Sequence, residues 1–234
     1  MAPVRSYTNW NSRATDTEEQ IEPYRKYFFI CEGANTETWY FKKLIDNRKL
    51  LNIHPLIDIR LLEKTEEDKD ISFPRKLIDF AESQKTNEEI TFDQERDKMI
   101  VVFDADIFEK KVTDYDEVIS MGEAKGNILA VSNPSFELFL LLHLEDSYEQ
   151  DIVPNKDAIL GNEKEGNQTF IYKLLLNRTG INSKKNQSIG NLAANVEIAI
   201  QQEKNLNQDI KKCKGNITCN IGKIIESIRN DIGE

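Results

Sequence analysis

The sequence predicts an α/β fold: a mainly parallel, doubly wound sheet flanked by helices, then a helical C-terminal extension. Three observations predict it. Short apolar runs of strand length alternate with helical periodicity between residues 23 and 150, the pattern of parallel strands joined by crossover helices. Two of those runs, Tyr27–Cys31 and Met99–Phe103, lead directly into acids: Glu32 after the first, and Asp104 and Asp106 after the second. Beyond about residue 151 no convincing strand pattern continues, and helical stretches take over.

Residues 1–22 are polar and lack periodicity apart from Tyr7 and Trp10, so they read as a flexible N-terminal arm. Tyr27–Cys31 is a buried strand. After the turn Glu32–Asn35, Thr36 caps a helix running to about Leu51 that buries Trp39, Tyr40 and Leu44. In the next strand Ile57, Ile59 and Leu61 alternate with Asp58 and Arg60. Pro74 suits the first turn of a helix carrying Leu77, Ile78 and Ala81. Met99–Phe103 is the third strand, 114–122 a short helix, and Asn127–Ser132 a fourth strand. Asn133-Pro134 opens the next helix as cap and first residue. Further helices fit roughly 168–178, 188–203 and 217–230. The expected organisation is an arm (1–22), an α/β catalytic core (23–150) and a helical region packed on it (151–234).

At 234 residues and 39% hydrophobic, the chain can bury one good-sized core. Its net charge of −10 argues against coating nucleic acid by bulk electrostatics. It leaves room for an enzyme that meets phosphates through local lysines such as Lys42, Lys43, Lys184, Lys185, Lys211, Lys212 and Lys214. The three cysteines (Cys31, Cys213, Cys219) have no paired spacing, which fits a reducing compartment and gives too few ligands for zinc. No apolar leader and no run of membrane-spanning length is present, so a cytoplasmic protein with no membrane contact is expected.

Ligands in open α/β sheets bind beyond the carboxyl ends of the strands. Asp104 and Asp106 fall there, on one side of an extended chain, and so does Glu32. Converging carboxylates repel unless a cation sits between them. Mg²⁺, a hard ion satisfied by one or two carboxylates and waters, is the economical choice. Glu37 has a plain reading as an acid in a helix's first turn, favoured by the dipole, yet its place five residues after Glu32 makes it a candidate ligand. Glu137 sits in "NPSFELFLLLHL", a helix apolar all round and therefore buried. A buried carboxylate needs a cation or a proton, so Glu137 requires a metal, a Lys or an Arg. His143 and His54 read as structural. No nucleotide-binding P-loop is present.

Taken together, "ICEGANTETWYFKKL", "VVFDAD" and "SNPSFELFLLLHL" resemble the RloB-like family, over roughly residues 26–230. The late "GNITCNIGKIIESI" is similar to that family's closing motif, with Asn216-Ile217 where members commonly have Asn-Pro. The resemblance implies a Toprim-like fold and a Mg²⁺-dependent nuclease, Mn²⁺ being an alternative ion. It also implies a role in bacterial anti-phage defence (abortive infection), commonly beside a separately encoded AAA- or ABC-type ATPase. Related Toprim effectors cut RNA, tRNA included, so the implied nucleic acid substrate is RNA or DNA. A homo-oligomer is compatible with it. Carried over by position, Glu32 is the acid/base or a ligand, Asp104 and Asp106 are catalytic metal ligands, and Glu37 and Glu137 complete the coordination or hold a second ion.

Other readings fit less well. A DxD phosphatase places its pair after the first strand, not the third. A receiver-like domain wants a Lys at a later strand end, where this chain has Ser132-Asn133. The non-enzymatic alternative is a binding subunit of a defence ATPase complex that keeps the fold.

Overall fold

The computed structural model describes residues 5–7, 23–65, 68, 71, 73–110 and 113–232. The first half runs β1 (Arg5–Tyr7), β2 (Arg25–Cys31), α1 (Thr36–Asp46), β3 (Ile57–Glu63), α2 (Pro74–Gln84) and β4 (Lys98–Asp104). Then come α3 (Asp106–Lys110), α4 (Tyr115–Ala124), β5 (Ile128–Asn133) and α5 (Phe136–Leu141). The last third holds α6 (Lys156–Gly161), the hairpin β6 (Lys164–Glu165) and β7 (Gln168–Thr169), α7 (Phe170–Thr179), α8 (Val196–Glu203), β8 (Thr218–Cys219) and α9 (Ile221–Arg229).

The described strands of the main sheet lie in the order β1-β3-β2-β4-β5-β8. The inner four are parallel, and β1 and β8 close the edges antiparallel. Side chains alternate between two cores. Tyr27, Phe29 and Cys31 of β2 face one, with α1, α5 and the C-terminal helices; Phe28 and Ile30 face the other, with α2 and α4. Both faces of the inner strands are therefore apolar, as parallel strands buried between helix layers require. The α/β class and flanking helices are as the sequence predicts.

Several elements differ from that prediction. Arg5–Tyr7, within the expected arm, pairs with the edge of β3; the rest of residues 1–22 lies outside the described residues. α1 ends at Asp46 rather than Leu51: the ladder tightens at its end, with the Arg48 N–H bonding Ile45 O, and turns follow to Asn52, which has a left-handed φ of 56°. Thr36 lies inside α1 and does not cap it; its hydroxyl donates to Ser183 O at 2.9 Å. Asn133 belongs to β5, not to a helix cap. Its amide donates to Glu109 Oε1 and to the carbonyls of Cys213 and Asn216, and α5 starts after Ser135. Residues after 151 are not purely helical: β8 adds to the main sheet through Ser132↔Cys219 and Asn133↔Thr218. Two-residue strands lack the length for periodicity to reveal them.

Candidate active site

From β2 the chain crosses to β3 on one side, then returns so that β4 and β5 lie on the other. The strand order thus reverses between β2 and β4, and a crevice opens beyond their carboxyl ends. Glu32 is the residue after β2 and Asp104 the last of β4. The two meet across that point: the Asp104 N–H donates to Glu32 Oε2 at 3.1 Å, and the Glu32 N–H donates to Val102 O at 2.9 Å. Asp104 Oδ1 in turn accepts from the Ser132 hydroxyl (3.1 Å) and from the Phe136 N–H (2.9 Å), linking β4 to the end of β5 and the start of α5.

Asp106 is not on extended chain with Asp104. It begins the short α3, its N–H donating to Pro134 O at 3.2 Å. The pair still shares one cleft, because strand end and helix start project over the same edge. Glu37, in the first turn of α1, is buried and folds over Gly33, where a Cβ would come within 2.6 Å of the Glu37 Cδ. A side chain at position 33 would push that carboxylate out of its present place. Glu137 is 2% exposed, in the first turn of α5. Its Oε2 accepts from the Ser135 hydroxyl at 2.8 Å, and its Oε1 meets the Ser183 hydroxyl at 3.2 Å and Lys184 Nζ at 3.0 Å.

Negative charge at this edge is under-compensated. Burial, reinforced by Glu37 and Asp106 and opposed by the Asp104 N–H and Lys64, pushes Glu32 up to about 7. Burial and the surrounding acids hold Asp104 well above the usual carboxylate range, and burial with Glu137 raises Glu37. Two lysines answer them. Lys64, just after β3, donates to Glu32 O at 2.6 Å and Ile71 O at 2.7 Å. Lys184 pairs with Glu137.

Two adjoining clefts lead to the acids. One, of about 480 Å³, is lined by Asp104, Asp106 and Glu137 on one side and by Lys164, Gln168, Lys184 and Lys185 from the C-terminal region on the other. The second, of about 490 Å³, contains Glu32 and shares Asp106, Asn162, Lys164 and Thr169 with the first. The C-terminal region therefore forms the opposing, lysine- and amide-bearing wall of the site.

The donor set is all hard oxygen, which fits Mg²⁺ or Mn²⁺ and not a thiophilic ion. Among the described residues, no group of three or more His, Cys, Asp or Glu side chains is placed to hold a metal ion by itself. Mg²⁺ needs no such cage, since it takes one or two carboxylates and keeps several waters. Asp104 and Asp106, which line one cleft, are the pair that fits it, with Glu32 beside them on the Asp104 N–H. Glu137 already has three protein partners, one of them the Lys184 ammonium.

The structure thus gathers all five predicted acids at one edge, with Glu37 and Glu137 set deeper than the other three. Sequence reasoning passed over Lys64 and the serines 132, 135 and 183, which only the fold brings to the acids. Lys184 was one of seven unranked lysines; the demand of a buried Glu137 for a cation is what could have singled out one of them. His143 is a core residue: Nδ1 donates to Phe139 O (2.9 Å), Nε2 accepts from the Tyr40 hydroxyl (2.9 Å), and burial lowers its pKa to about 4. His54 Nδ1 accepts from the Leu56 N–H. Cys31, Cys213 and Cys219 are unpaired and buried.

A family model described as "RloB-like protein" matches residues 27–228. No curated protein and no solved structure matches.

Proposed function

The chain belongs to the RloB-like family, and from that premise and the acid cluster we propose that it is a metal-dependent nuclease. The observation that carries the reading is the Glu32–Asp104 contact at the sheet's reversal point, beside a cleft that sets Asp104, Asp106 and Glu137 against Lys164, Lys184 and Lys185. Carboxylates for a cation, facing lysines for phosphates, suit hydrolysis of a phosphodiester.

Asp104 and Asp106 would hold Mg²⁺ or Mn²⁺, which would supply Lewis-acid polarisation of a phosphoryl oxygen and a bound water of lowered pKa. Glu32, pushed up to about 7, is suited to take a proton from the attacking water and to return one. The Asp104 N–H holds its carboxylate in place. The lysines of the opposing wall bind the backbone on either side of the scissile phosphate, a local attraction within a chain of net charge −10. The substrate is a nucleic acid, RNA (tRNA included) or DNA. Bacterial anti-phage defence, with a separately encoded ATPase as partner, is the setting the family implies.

A second reading, a non-catalytic subunit docking on that ATPase, draws on one observation: among the described residues, no three acids are placed to hold an ion unaided. The two separate in cells. Wild type and Asp104→Asn are expressed with and without the ATPase, and total DNA and RNA are inspected for cuts. Cuts confined to wild type support the nuclease and name its substrate. An absence of cuts in every arm, under phage challenge with the ATPase present, favours the docking subunit.

A further inference from the structure

Building on the nuclease reading, we propose that Lys184 takes the place of a second metal ion. The site then holds one divalent ion, on the Glu32–Asp104–Asp106 side, and the Lys184 ammonium is the other cation that meets the substrate phosphate. The argument begins with Glu137, whose side chain is 3% exposed and cannot stay ionised without compensation. The compensation comes from three groups: Ser135 on Oε2 (2.8 Å), Ser183 and Lys184 on Oε1 (3.2 and 3.0 Å). A divalent ion of Mg²⁺ size approaches oxygen to about 2.0–2.1 Å and, to bind at Oε1, would have to displace the ammonium that shares that oxygen with the Ser183 hydroxyl.

Lys184 is also held in position. Its own N–H donates to Asn182 Oδ1 (3.1 Å), and the N–H groups of Lys185 and Asn186 donate to Asn182 O. The neighbouring Ser183, 1% exposed, accepts at its carbonyl from the Thr36 hydroxyl at the start of α1. The backbone carrying Lys184 is thereby fixed to the helix that follows Glu32. Its side chain is 61% exposed and lines the cleft that contains Asp104 and Asp106. An ammonium has three donors; with one on Glu137, others can reach a phosphoryl oxygen, where a fixed positive charge stabilises the charge developing in the transition state.

A merely structural ion pair would leave the number of bound ions unchanged on its removal. The test therefore counts Mn²⁺ bound by the full chain, using electron paramagnetic resonance and calorimetry, with melting curves to confirm folding. The expected counts are one ion for wild type, two for Lys184→Met, and one for Lys185→Met. Glu137→Gln is expected to keep one ion. Two ions on wild type, or still one on Lys184→Met, overturns the inference. If Lys184→Met does not fold, Glu137→Gln decides: one ion sustains the inference and none overturns it. No ion on a folded wild type overturns the underlying metal reading, and so differs from the two-ion result, which overturns this inference alone.

Discussion

Asp104 does two things with one carboxylate. It lines the cleft, and its Oδ1 accepts the Phe136 N–H and the Ser132 hydroxyl. An alanine there removes charge and also leaves a buried N–H unpaired, at about 1–3 kcal/mol. Asp104→Asn keeps an acceptor oxygen, so melting temperature is not expected to fall, whereas nuclease activity is expected to fall at least 100-fold, a drop on the order of 2.7 kcal/mol of transition-state stabilisation. Cleavage assays beside melting curves check this. Glu32 makes a pH prediction. Its carboxyl is raised from 4.5 to about 7, so between those values the folded chain holds a proton that the unfolded chain has released. The metal-free protein is therefore expected to lose stability as pH rises from about 4.5 through 7, on the order of 2 kcal/mol. Glu32→Gln keeps an acceptor for the Asp104 N–H and cannot ionise. Its melting temperature is expected to match wild type near pH 4 and to exceed it at pH 8; an equal gap at both would remove Glu32 as the cause.

At the scale of elements, strands and helices with strong periodicity were legible and their ends were not. β2 and β4 each contain a continuous apolar run, and α2 carries Leu77, Ile78 and Ala81 at helical spacing, all fully buried. The end of α1 is set by a local tightening of its last backbone bonds at Asn47 and Arg48, and the start of α5 by the Phe136 N–H donating to Asp104, far back along the chain. β8 is too short for periodicity. Beside it, the Asn220 side chain completes the edge of β5, accepting from the Val131 N–H (2.7 Å) and donating to Leu129 O (2.8 Å). α9 shows the same long-range dependence: Glu203 of α8, fully buried, accepts the Gly222 and Lys223 N–H groups (both 2.8 Å) and so caps a helix it does not belong to. Glu203→Ala is expected to destabilise the protein by about 2 kcal/mol or more through those unpaired donors. Denaturant unfolding measures it, and a change within 0.5 kcal/mol would show that the cap is dispensable.

For the molecule as a whole, the acids were legible because strand ends in a parallel sheet fall at one edge whatever the details. The opposing wall was not, because Lys164, Gln168 and Lys184 reach the cleft only through the packing of the last third of the chain on α1 and α5. Among the described residues, no helix is long and apolar enough to cross a membrane. An ion bound only by the folded chain stabilises it by mass action, about 2.7 kcal/mol at a hundredfold excess over Kd. Mg²⁺ or Mn²⁺ is therefore expected to raise the melting temperature at pH 8 by several degrees in wild type and little in Asp104→Asn. An equal rise in both would place the ion elsewhere. The central claim is that this edge cuts nucleic acid. Its most direct test incubates the purified full chain, with its ATPase partner, on end-labelled RNA and DNA in Mg²⁺ or in EDTA, comparing wild type with Glu32→Gln and Asp104→Asn. Cuts by wild type alone, abolished by EDTA, are the expected result; cuts that persist in Asp104→Asn or in EDTA would contradict it.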